Sequence, residues 1–181
     1  TLTMALDAIG DALWDRVDRE PSGDPFNSLI QLEYEKGIPR NPFMNAGALV
    51  VTDAVLSHLG DAKEALRTFA RRLSGADDVD YDYAVARSEA VLGYRNSALA
   101  NFLKSFNNLH NHPDAVLDAY FHHCALRMSC LQLARAAVFL CRDGVHPHTG
   151  GQILTERQAR RVNSAGASNC RWRSRVRGGR C

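Results

Sequence analysis

Lysine is scarce in this chain: Lys36, Lys63 and Lys104 are the only three among 22 basic residues, so arginine carries nearly all the positive charge. No apolar run approaches the roughly 20 residues that cross a bilayer, which argues against a membrane protein. The opening residues lack the basic-then-apolar layout of a secretory leader. Nowhere is the apolar-polar alternation of a half-buried strand sustained, and no segment repeats at a period of about 20 to 50 residues. Glycines punctuate turns without forming a phosphate-cradling loop. An initiator methionine is also absent, and Thr1 stands inside a helical pattern, so the chain is expected to open in mid-helix.

What is present suits one ordinary domain: 181 residues, 45% hydrophobic and 23% charged. Five cysteines, Cys124, Cys130, Cys141, Cys170 and Cys181, make an odd number, and three lie in apolar helical patterns where a free thiol packs as a small hydrophobe. That usage fits a reducing cytoplasm. The formal charge of +2 is uneven, because Arg171, Arg173, Arg175, Arg177 and Arg180 stand together without an acid. Removing those five leaves −3 for residues 1–163, so the body is mildly acidic and no nucleic-acid or membrane partner is expected.

Periodicity predicts a chain that is mainly α. Leu2, Leu6, Ile9, Leu13 and Val17 recur at helical spacing, which predicts a helix to about residue 17. A short amphipathic piece spans Asn27 to Glu35, and the prolines of Pro39-Arg-Asn-Pro42 impose an irregular loop. Asn45 is placed to cap a helix whose small residues allow close packing, ending near Gly60. Asp61 with Glu64, Ser129 with Gln132 and Thr155 with Gln158 resemble capping boxes, opening helices to about Leu73, Asp143 and Val162. Further helices are expected over Tyr83 to Leu92, Asn96 to Phe106 and Pro113 to Met128, with a break near Gly93 and positive φ at Gly144. Residues 164–181 have almost no core-forming side chains and read as a disordered or frameshifted tail, leaving 1–163 as the domain.

Three stretches carry a resemblance: Glu20-Pro-Ser-Gly-Asp-Pro-Phe-Asn27; Pro39-Arg-Asn-Pro-Phe-Met-Asn-Ala-Gly-Ala48; and Arg87-Ser-Glu89 with Tyr94-Arg-Asn-Ser97, followed by Ala119-Tyr-Phe121. Together they resemble glutaminases of the serine-dependent, β-lactamase-like class, over residues 1 to about 163. The resemblance implies the helical lobe of a fold in which that lobe packs on an α/β lobe, here largely missing. It implies hydrolysis of L-glutamine to L-glutamate and ammonia through a serine acyl-enzyme, with no metal or organic cofactor, in a cytoplasmic dimer or tetramer.

In that class the serine and its lysine base lie in Ser-x-x-Lys. The residues three before the lysines are Glu33, Gly60 and Asn101, so the motif does not occur in these 181 residues. The later tyrosine and Lys-Ser-Gly segments are not found after Asn163 either. No catalytic residue is therefore assigned, and no turnover is expected from this chain alone.

Asn45, Glu89, Asn96 and Tyr120 match the family's substrate-contacting positions. An α-ammonium needs an ionised acceptor such as Glu89, and a carboxylate or amide needs neutral donors such as Asn45, Asn96 and the Tyr120 hydroxyl. From the residues alone, Asn45 and Asn96 read equally as helix caps, Glu89 as a solvated acid and Tyr120 as a core ring. His122-His123 and His146-Pro-His148 lack the spaced partners of a zinc site. The alternative is a non-catalytic helical assembly module, with Phe102 to Asn108 as a contact that serves equally as core. Without a companion lobe, the apolar faces of Ala46 to Leu56 and Leu131 to Leu140 are expected to be exposed.

Overall fold

The computed structural model describes residues 1–21 and 28–176. Its helices are α1 (Leu2–Ile9), α2 (Leu29–Tyr34), α3 (Asn45–Leu59), α4 (Ala62–Ser74), α5 (Tyr83–Leu92), α6 (Tyr94–Ser105), α7 (Pro113–Cys124), α8 (Cys130–Ala137) and α9 (Glu156–Val176). Two short strands, β1 (Asp80–Tyr81) and β2 (Leu126–Arg127), pair antiparallel. Ser22 to Asn27 of the first motif, and the chain beyond Val176, lie outside the described residues.

The body is built around α3, which packs against α1, α6 and α7. Helix α3 shows little amphipathicity because its neighbours cover it on nearly every side. Leu49, Val50, Ala54 and Val55 are fully buried, and Ala46, Val51 and Thr52 nearly so. The expected exposure of Ala46 to Leu56 is therefore corrected, since the helical body by itself encloses α3. In the second segment expected to be bare, Leu131 and Leu133 are indeed exposed, at 60% and 59%, whereas Phe139 is buried.

Several boundaries differ from the periodicity. Helix α1 stops at Ile9 because Gly10 takes φ 60°, and a 3-10 turn over Gly10–Asp15 carries Leu13 and Val17 into the core. Helix α7 ends at Cys124 rather than near Met128, since Leu126 and Arg127 are drawn into pairing with Tyr81 and Asp80. Helix α8 is shorter than expected and passes into a 3-10 turn at Val138–Cys141. The last helix continues past Val162 to Val176.

The caps follow local chemistry. Ser129 and Gln132 form the complete reciprocal box, Thr155 and Gln158 bond the same way, and Asp61 accepts from the Lys63 and Glu64 backbone N–H groups. Gly144 has φ 87° at the predicted position. In the 102–108 stretch Leu103 and Asn108 are buried, Phe102 and Phe106 are half-buried and meet edge-on at 5.3 Å, and Ser105 and Asn107 are exposed.

Candidate functional site

The loop 39–44 delivers Asn45 to the first turn of α3. Met44, not Asn45, occupies the cap position, and it makes no side-chain cap bond. The Asn45 side chain is thereby spared for a tertiary role: its Nδ2 donates to Asn96 Oδ1 at 2.9 Å, joining α3 to α6. Asn96 is not a cap either. It lies inside α6, 9% exposed, on the face turned toward α3. This bond leaves an acceptor on Asn45 and an NH₂ group on Asn96 outside the pair.

Glu89 and Tyr120 come together from α5 and α7. Gly93 ends α5 and caps α6, and a Cβ there would collide with the Glu89 carbonyl oxygen and lie 2.7 Å from the Phe121 ring. A glycine at this corner lets α5 and α6 turn tightly over α7. Tyr120 is almost buried whereas Glu89 is exposed. Burial first, then the neighbouring Cys124 thiol with which it hydrogen-bonds and the Glu89 charge, holds the Tyr120 phenol well above its ordinary range. The phenol is therefore a neutral donor at any physiological pH. Partial desolvation, opposed by the Tyr120 bond, raises the Cys124 thiol, although the residue surfaces on the solvent side.

The four residues thus fall into two pairs, Asn45 with Asn96 through a hydrogen bond and Glu89 with Tyr120 through the packing of α5 on α7. Helices α6 and α7, which carry one member of each pair, pack side by side, and α7 also packs on α5. The arrangement offers one carboxyl group, a phenolic donor and amide groups of both kinds. Such a set suits a zwitterionic amino acid with a polar side chain.

The histidines have structural partners. His146 is fully buried, with Nε2 3.0 Å from the Arg135 carbonyl, and His148 packs edgewise on it. His123 Nε2 lies 3.0 Å from the Ala62 carbonyl, and His122 sits edge-on to Tyr81 at 5.5 Å. Among the described residues no group of three His, Cys, Asp or Glu side chains is placed to hold a metal ion, and no helix is long and apolar enough to cross a membrane.

Periodicity passed over one buried polar network. Asp53, fully buried in α3, accepts from Arg16 Nη2 at 2.6 Å, from the His110 and Asn111 backbone N–H groups at 3.0 and 2.8 Å, and from Asn111 Nδ2 at 2.8 Å. Asn108 extends it by donating to the carbonyls of Arg16 and Gly37. The available signal was an acid set within the apolar run Val50 to Val55, on a face that had no water to meet.

A helical body with this fold is shared with solved glutaminases of β-lactamase-like architecture. It superposes on a probable glutaminase from Bacillus subtilis with a TM-score of 0.77 at 32% identity, covering 92% of this chain and 52% of that one. Mglu in its native form gives 0.81 at 31% identity, over 93% and 41%. The glutaminase family model matches residues 1–168, and the chain belongs to that family. It is 52% identical over 166 residues to a glutaminase of Mesorhizobium japonicum, covering 91% of this chain and 53% of the relative. A Rhodopseudomonas palustris glutaminase is 53% identical over 166 residues, at 91% and 54% coverage. The chain spans about half the length of the curated relatives it matches.

Proposed function

We propose that this chain forms the glutamine-recognising helical part of a glutaminase, with Asn45, Glu89, Asn96 and Tyr120 contacting the substrate. The reaction of the whole enzyme is hydrolysis of L-glutamine to L-glutamate and ammonia through a serine acyl-enzyme. Glu89 receives the α-ammonium, while the amides and the Tyr120 hydroxyl address the carboxylate and side-chain amide. The observation that carries this reading is the Asn45–Asn96 bond, which joins two motif-derived amides 51 positions apart across two helices.

Ser-x-x-Lys does not occur in these 181 residues, so the proposal for the chain itself is binding and not turnover. A cytoplasmic setting belongs to the same reading and is supported by the free thiols of Cys124, Cys130 and Cys141. So does assembly into a homo-oligomer, as a dimer or tetramer.

The test is titration of the ¹⁵N-labelled chain with L-glutamine and L-glutamate, using D-glutamate and L-lysine as controls. Shifts at Asn45, Glu89, Asn96 and Tyr120 are expected for L-glutamine and L-glutamate alone. Equal response to all four ligands, or none up to tens of millimolar, overturns the assignment.

A further inference from the structure

Helix α3 starts without help from its own cap residue, because Met44 has no polar side chain to offer the first-turn N–H groups. The segment that leads into the helix is held instead by Asn41, three residues before Met44 and 1% exposed. Its Oδ1 accepts from the Phe43 and Met44 backbone N–H groups at 3.0 and 3.2 Å, while its Nδ2 donates to the Glu20 carbonyl at 2.9 Å. Backbone bonds from Asp18 N to the Pro39 carbonyl and from Glu20 N to the Arg40 carbonyl, both 2.8 Å, brace the same two segments. On its other side, the Asn41 carbonyl oxygen occupies the space a Cβ on Gly47 would need, so the first turn of α3 rests directly on it.

We infer that Asn41 is a positioning residue for Asn45, fixing the start of α3 so that the Asn45 amide meets Asn96 in register. The physical reason is short leverage. Met44 N is the last atom held by Asn41, and Asn45 is the next residue along the chain. A loop holding two prolines, Pro39 and Pro42, has few N–H donors with which to order itself, so the buried Asn41 amide decides where it stops and the helix begins. The resulting amide pair needs side chains held to within about 0.5 Å to present a fixed acceptor and donor to a ligand. This role rests on the proposed glutamine reading only in its consequence for ligand affinity; the positioning of Asn45 is a property of the unliganded chain.

The experiment follows the Asn45 side-chain NH₂ resonances by NMR, assigned by their loss in Asn45→Ala. In the unmodified chain, hydrogen exchange of the Asn45 NH₂ group and of the Met44 N–H is expected to proceed through one opening, with matching protection. Free exchange at Asn45 beside a protected Met44 overturns the inference even if neither Asn41 variant folds. In Asn41→Ala the distinctive Asn45 shift is expected to collapse to the solvent-exposed amide position. Asn41→Asp keeps an acceptor for Phe43 and Met44 and is expected to retain the shift. Survival of the Asn45 signal in folded Asn41→Ala, or its equal loss in folded Asn41→Asp, refutes the role. Added L-glutamate separates the two proposals: affinity weakened on the order of tenfold in Asn41→Ala extends the role to binding. Absence of binding in the unmodified chain counts against the glutamine reading and leaves the ligand-free result to stand.

Discussion

Arg16 reaches into the body to meet Asp53 at 2.6 Å, with the carboxylate fully buried and the guanidinium side chain only 14% exposed. Burial by itself would raise the Asp53 carboxyl, but hydrogen bonds from His110, Asn111 and Arg16 outweigh it and hold the group below the ordinary carboxylate range. The pair ties the segment after α1 to the middle of α3 and to the 108–111 loop.

Removing one partner of such a pair strands the other. Asp53→Ala is expected to destabilise the chain by about 3–5 kcal/mol, measured as a lowered urea midpoint. Asp53→Asn, which keeps shape and an acceptor, is expected to cost less. Because the folded carboxyl ionises more readily than the unfolded one, its stabilisation is present at neutral pH and is lost as pH falls below about 4.

His123 titrates in a different window. Burial lowers its pKa to about 4, from an ordinary value of about 6.5. The unfolded chain therefore takes up a proton that the folded chain refuses, so stability falls as pH drops from about 6.5 to 4. Replacing the ring with a neutral side chain, His123→Gln, is expected to flatten this slope while leaving the steeper loss below pH 4. Urea unfolding at intervals of pH reads both limbs, and an unchanged slope between pH 6.5 and 4 would exclude His123 as its source.

Gly47→Ala tests the close approach of α3 to the 39–42 loop. The added methyl overlaps the Asn41 carbonyl, which is backbone and has little room to yield. A loss of about 1–3 kcal/mol is expected despite the better helix propensity of alanine, and a gain in stability would show the contact to be loose.

Asn96→Ala separates recognition from folding. Losing one partially buried side-chain bond costs about 1–2 kcal/mol of stability. Affinity for L-glutamate, read by NMR titration, is expected to fall at least about tenfold, since the change also frees Asn45. Equal affinity in a folded variant would place the ligand elsewhere.

The corner at Gly93 gives a further check. Gly93→Ala is expected to disturb the α5–α6 turn against Phe121 and the Glu89 carbonyl, shifting the Glu89 and Tyr120 resonances together. A change confined to Gly93 and its chain neighbours would indicate that the two residues are positioned independently.

Much of this was legible in the residues. Apolar spacing placed most helices, because each has a face that must leave water, and the Ser129–Gln132 and Thr155–Gln158 boxes set helix starts through bonds made within four residues. Ends were less legible where a distant partner intervened, as where β1 captured Leu126 and shortened α7. The four candidate site residues were named from local motifs that match a family, and each by itself read as well as a cap, a surface acid or a core ring.

Composition and local pattern alone determined a mainly helical, mildly acidic body and the absence of Ser-x-x-Lys, since these depend on residues within a few positions of one another. Only the tertiary structure decided that Asn45 spends its side chain on Asn96 instead of its own helix, that α3 is covered on nearly every side, and that Asp53 is matched by Arg16. Those outcomes turn on partners tens of residues away, and periodicity records which face a residue takes but not which side chain waits there.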